Sequence, residues 1–239
     1  MTIGNLKFMT LISHRHKFIF IHIYKTAGTS VTASLLRHSS FKDRLAYDYL
    51  ITKKLSNTID RIFNSWDDGK KWLTGYHKHS QAIEIREHLG SSCFDEYYKF
   101  SFVRNSWDWL VSLYFYIRRE NTHINHHLAN QLNFKEFLQN YLETNPPLQL
   151  DFISDSQGKI IVDKIGCFEQ LQQDFAEILD RIQIEDRQYN SPNLKVINMS
   201  SNRSRNYQQY YDGESSNWVE EYFQPDIAYF KFQFESSQK

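Results

Sequence analysis

Between Lys17 and Ile23 the chain reads KFIFIHI, β-branched and aromatic with little alternation, a pattern that predicts a strand covered on both faces within an α/β sheet. The next seven residues, Tyr24 to Ser30, include a run of small and hydroxyl-bearing side chains. Val31 to Arg37 follow, with Val31 and Leu35 one helical turn apart. The order strand, loop, helix then returns. Ser80 to Leu89 has helical spacing, with Ser80 as its cap and Gly90 as its stop, and Lys99 to Val103, KFSFV, predicts a second core strand. After the loop Arg104-Asn105-Ser106, a helix sets Leu110, Leu113, Tyr114 and Ile117 on one face. Asp108, Ser112 and Arg119 fall on the opposite face.

Further along, Phe134 to Glu143 predicts a helix ended by Pro146 and Pro147, and Asp155 to Gly158 predicts a turn into a strand over Lys159 to Ile165. Glu169 to Ile182 carries an apolar helical face of Leu171, Phe175, Ile178, Leu179 and Ile182, and Ser215 to Phe234 predicts short helices packing aromatics. Residues 41–75 have no clear period and are read as a variable insertion. Together these elements predict one α/β domain over residues 1–239, with a central, mainly parallel sheet flanked by helices.

Composition narrows the function more than the fold. Lysine and arginine number 28 and aspartate and glutamate 28, so there is no basic excess to meet a nucleic acid, and any anion site must be local. The two cysteines, Cys93 and Cys167, build neither a disulfide framework nor a paired zinc motif. No apolar run is long enough to cross a bilayer and no leader is visible, so a cytoplasmic protein without a membrane partner is expected. His123, His126 and His127 have the spacing of metal ligands but no nearby carboxylate or cysteine to join them, so no metal is expected.

The chemistry concentrates in the two loops. Lys25 opens a run of small residues, through which backbone amides can approach an anion just before a helix begins. Thr26, Thr29 and Ser30 add hydroxyl donors, and the helix amino terminus adds unpaired amides and the positive end of its dipole. A Walker A loop is excluded, because its lysine stands at the end of the pattern and here it leads. A plain polar turn satisfies this loop taken alone. The second loop adds Arg104 directly after a core strand and Ser112 eight residues later, a guanidinium and a hydroxyl able to grip one phosphate.

With both loops in hand, FIHIYKTAGTS resembles the 5′-phosphosulfate loop of Golgi-type carbohydrate sulfotransferases, and FSFVRNSWDWLVSLYFY resembles their 3′-phosphate motif. The segments KIGCFEQLQQDF and NRSRNYQQYY extend the resemblance over most of residues 17 to 234. It implies a P-loop-like sulfotransferase fold and, as co-substrate, 3′-phosphoadenosine 5′-phosphosulfate (PAPS), with a carbohydrate or other hydroxyl-bearing acceptor. Lys25 is then expected to contact the phosphosulfate and its bridging oxygen, while Thr26, Ala27, Gly28, Thr29 and Ser30 wrap the 5′ group. Arg104 with Ser112 holds the 3′-phosphate, and Arg203, Ser204 and Arg205 close over the nucleotide.

Tyr76-His77-Lys78-His79 resembles the Y-H-G-H element of uronyl 2-O-sulfotransferases, which implies His79 as the base and His77 as its assistant. His22, inside the first strand, is read as a core residue. Tyr24 and Ser106 stand where the family usually has proline, and Cys167 where arginine is common before the Phe-Glu pair. An ATP-dependent phosphotransferase and a non-catalytic nucleotide-binding module are the alternative readings.

Overall fold

In the computed structural model of the chain, residues 10–41, 43–44, 80–184, 194 and 203–234 are described. Most of the expected insertion, and with it His77 and His79, lies outside the described residues. Contacts within the chain divide it into two compact units, Met1–Val103 with Asp151–Ile197, and Arg104–Leu150 with Asn198–Lys239.

The first unit is built on a sheet in the order β1 (Leu11–Ser13), β2 (Phe18–Ile21), β3 (Tyr98–Val103), β4 (Lys164–Cys167). β1 is antiparallel to β2, whereas β2 pairs with β3, and β3 with β4, in parallel. The unbroken apolar runs explain why. All four residues of β2 are buried, as are Lys99 to Val103 of β3, the state of strands with both faces covered. Phe20 stacks on Phe100 with ring centroids 5.3 Å apart and meets Phe102 edge-on at 6.3 Å, so the centre of the sheet is an aromatic block.

Helices α1 (Gly28–Leu36), α2 (Ala82–Leu89) and α3 (Ser91–Glu96) precede β3. Gln81, rather than Ser80, caps α2. Its side chain and that of Glu84 close a reciprocal capping box, and Gly90 ends the helix at φ 80°. The turn at Asp155 to Gly158 forms as expected, with Asp155 donating its amide to the Lys159 carbonyl. The strand beyond it is displaced toward the carboxyl side. Ser154 and Ile160 make one isolated bridge, and continuous pairing begins only at Lys164, where Phe100 is the partner. Asp163 sets that boundary: its amide donates to the Lys99 carbonyl and its carboxylate accepts the Lys99 amide at 2.7 Å.

The second unit gathers α4 (Ser106–Arg119), α5 (His126–Gln131), α6 (Phe134–Glu143), α8 (Gly213–Tyr222) and α9 (Gln224–Phe230), while α7 (Leu171–Arg181) belongs to the first. Each residue from Ser106 to Tyr114 is buried, so the face carrying Asp108 and Ser112 is not a solvent face, and only Arg118 and Arg119 emerge. The reason is aromatic packing around the whole helix. Trp109 meets Phe223 edge-on at 5.7 Å, Tyr114 lies 5.0 Å from Phe137, and Trp107 lies 5.5 Å from Phe234. His123 and His126 serve local structure: the first accepts the Asn125 amide and the ring of the second bonds the Ile117 carbonyl.

Candidate functional site

β2 and β3 are parallel neighbours, so both deliver the chain to the same edge of the sheet. Lys25 comes four residues beyond β2, and Arg104 directly follows β3.

The loop after β2 is shaped by backbone conformation. Lys25 sits at φ 63° and Ala27 at φ 69°, both in the left-handed region, with Thr26 between them at negative φ. Non-glycine residues rarely adopt this state, and an alternating sequence of this kind turns successive amides toward one concavity able to hold an anion. Two contacts hold the loop in place. Thr26 is fully buried and its hydroxyl donates to the Ile23 carbonyl at 2.8 Å. His22, also buried, lies with Nε2 only 1.8 Å from where a Cβ on Gly28 would stand, so glycine alone fits there.

The Ala27 carbonyl accepts the amides of Ser30 and Val31, which starts α1 and leaves the amides of Gly28 and Thr29 at its amino end, ahead of the first intrahelical bond. The sequence-predicted residues Lys25, Thr26, Ala27, Gly28, Thr29 and Ser30 are therefore brought together in one turn. Thr26 braces the loop, its hydroxyl already engaged by the Ile23 carbonyl.

The site after β3 is built around Arg104. Its amide donates to Gln149 Oε1 at 2.9 Å, and its carbonyl accepts from Gln149 Nε2 at 2.8 Å. The amides of Gln149 and Leu150 in turn donate to the two carboxylate oxygens of Asp226, at 2.8 and 3.0 Å. Gln149 and Asp226 are wholly buried, so the backbone that carries Arg104 is clamped from beneath. Asn105 completes the turn, capping α4 by accepting the Trp107 amide and donating to the Gln233 carbonyl at 2.8 Å.

Asp108, one turn into α4, joins the arginines. Arg104 Nε donates to Asp108 Oδ2 at 2.6 Å and Nη2 approaches the same oxygen at 2.5 Å. Arg203 reaches the other oxygen, Oδ1, through its Nη2. The three side chains are 8%, 13% and 11% exposed, so two guanidiniums and one carboxylate share a largely dry site with a formal excess of one positive charge. Burial, and next the Arg104 charge, lower the Arg203 guanidinium to about 10, still protonated at neutral pH. Arg203 Nε is a buried donor without a hydrogen-bond partner among the described residues. Ser112 is buried one turn beyond Asp108.

Of the carboxyl-terminal trio, Arg203 alone turns inward. Ser204 and Arg205 are exposed, with the Ser204 amide donating to Tyr210 Oη at 2.9 Å. Cys167 is half-buried at the end of β4, its amide donating to Asp174 Oδ2 and burial raising its thiol pKa. Sequence reasoning placed Asp108 on the Ser112 face but did not see it as the bridge, and it passed over Gln149 and Asp226. Only the four-residue spacing of Arg104 and Asp108 carried a signal for the first.

A left-handed turn at a helix amino end, and a second strand-to-helix turn whose Arg104 shares Asp108 with Arg203, define an α/β protein with two candidate anion-binding clusters. The profile of the sulfotransferase family matches residues 9–233, nearly the full length, and the chain belongs to that family. A protein of Archaeoglobus fulgidus described as uncharacterized is 36% identical over 104 residues, covering 42% of this chain and 80% of that protein. No solved structure matches the chain with significance. No helix among the described residues is long and apolar enough to cross a membrane.

Proposed function

We propose that the chain transfers a sulfuryl group from PAPS to a carbohydrate hydroxyl, in line, with His79 as the base and His77 assisting it. The observation that carries this reading is the Lys25 turn, in which Lys25 and Ala27, neither of them glycine, are held in left-handed conformations of the kind found in anion-binding amide nests. Family membership supplies the sulfuryl transfer itself. The donor and site chemistries match at both ends of the nucleotide. A phosphosulfate suits amides and one lysine, and a terminal dianionic phosphate suits a pair of guanidiniums with one hydroxyl.

PAPS, when bound, supplies a sulfuryl group on a good leaving phosphate; the chain's own residues do the rest. Lys25 and the amides of Gly28 and Thr29 stabilise the negative charge that grows on the bridging oxygen as its bond to sulfur breaks. His79 takes the proton of the acceptor hydroxyl as that oxygen bonds to sulfur, and 3′,5′-ADP departs. Arg104, Ser112 and Arg203 hold the 3′-phosphate, and Ser204 and Arg205 close over the nucleotide from the exposed loop. The protein acts in the cytoplasm on a hydroxyl-bearing acceptor and needs neither a metal nor a nucleic acid partner.

A thermal-shift comparison separates this reading from ATP use. At equal low concentration 3′,5′-ADP raises the melting temperature and ATP with magnesium does not; the reverse order would sink the proposal. His79→Ala tests the base: turnover falls about 10²- to 10⁴-fold while the affinity for 3′,5′-ADP stays at the wild-type value. Retained turnover removes His79 from the role.

A further inference from the structure

Asp108 puts a carboxylate where an anion is to be bound, which is unexpected for a phosphate site. Its two oxygens are divided between the two guanidiniums, Oδ2 to Arg104 and Oδ1 to Arg203. Arg104 is fixed by its clamped backbone, whereas Arg203 arrives from the segment that follows residues outside the described ones. Among the described residues, Arg203 itself is anchored to α4 through Asp108, and the nearby Tyr211 hydroxyl donates to the Trp107 carbonyl at 2.8 Å.

We propose that Asp108 is a positioning residue: it acts as an internal counter-ion that holds Arg104 and Arg203 as one fork, and this fork makes the site select nucleotides bearing a 3′-phosphate. The inference rests on the donor reading given above. Without the carboxylate, two like charges are left close together in a dry site, and Arg203 is released from α4. The anion must then order Arg203 itself, which weakens binding. Repulsion between Asp108 and the incoming phosphate opposes this but does not win, because the triad keeps its positive excess with Asp108 charged. Arg203 also keeps donors that Asp108 does not use. Arg203 Nε is one of them, buried and unpartnered among the described residues.

A role confined to folding would weaken all nucleotides alike, whereas the fork acts on the 3′-phosphate alone. Calorimetric dissociation constants for 3′,5′-ADP and 5′-AMP, measured on the full chain, therefore test the proposal. The wild type prefers 3′,5′-ADP. In Asp108→Asn the constant for 3′,5′-ADP rises about 10- to 100-fold while that for 5′-AMP stays within twofold, so the preference collapses. Arg203→Lys keeps the charge but loses the planar fork, and it moves the ratio in the same direction; it carries the test if Asp108→Asn does not fold. An unchanged ratio in the folded variants, or equal weakening of both nucleotides, overturns the role of Asp108 and leaves the donor reading standing. A wild type that does not distinguish the two nucleotides overturns the donor reading, and the fork with it.

Discussion

His22 and Gly28 form a size-matched pair: the ring occupies the space that any side chain at position 28 would need. Gly28→Ala is expected to cost roughly 1–3 kcal/mol through overpacking. Most of that cost should vanish in a His22→Ala background, as a double-mutant cycle by urea unfolding would show. Lys25 is set at φ 63° by the same turn, and Lys25→Ala should lower turnover about 10²- to 10³-fold with little change in melting temperature, read by steady-state kinetics beside a thermal scan. His14 gives a pH signature. Burial, only partly opposed by Asp43, lowers it to about 4, and its ring bonds Tyr97 Oη at 2.5 Å. The unfolded chain therefore binds more protons than the folded one between pH 6.5 and about 4, so stability is complete above that window and falls as the pH drops through it. Urea midpoints across pH 4 to 7 should show this slope, and His14→Gln should flatten it.

The elements differ in how far pattern alone revealed them. β2, β3, α6 and α7 are legible because each repeats one physical signal over several residues: continuous apolarity in the strands, and a clean apolar stripe in the helices. β1 was not seen, since three residues with one half-exposed carry no period, and only pairing with β2 makes them a strand. β4 begins at Lys164 because Asp163 locks register against Lys99, a contact far apart in sequence. α4 shows the limit of amphipathicity most clearly. As far as Tyr114 its polar face is covered as fully as its apolar one, so periodicity marked Ser112 and Asp108 but could not tell a solvated face from a buried one. The clamp under Arg104 was invisible for the same reason, being assembled from Gln149, 45 residues from Arg104, and Asp226, 77 residues from Gln149. Asp226→Ala should leave two amides without their acceptors and cost about 2 kcal/mol in chemical denaturation; an effect near zero would show that the clamp does not matter.

At the scale of the molecule, a formal charge of zero means that affinity for a polyanionic nucleotide cannot come from a general field. In the proposed reading it comes from two local devices, the turn carrying Lys25 and the guanidinium pair on Asp108. Lys25 and Arg104 stand at strand-to-helix turns, and the family the chain belongs to transfers sulfuryl groups. The most direct measurement of the whole account is transfer of a labelled sulfuryl group from PAPS to a panel of glycans, run beside Lys25→Ala and Arg104→Ala. The account predicts labelled product from the wild type, with 3′,5′-ADP released in equal amount, and at least a hundredfold less product from each variant. A wild type that binds 3′,5′-ADP yet labels no hydroxyl acceptor, or variants as active as the wild type, would contradict it.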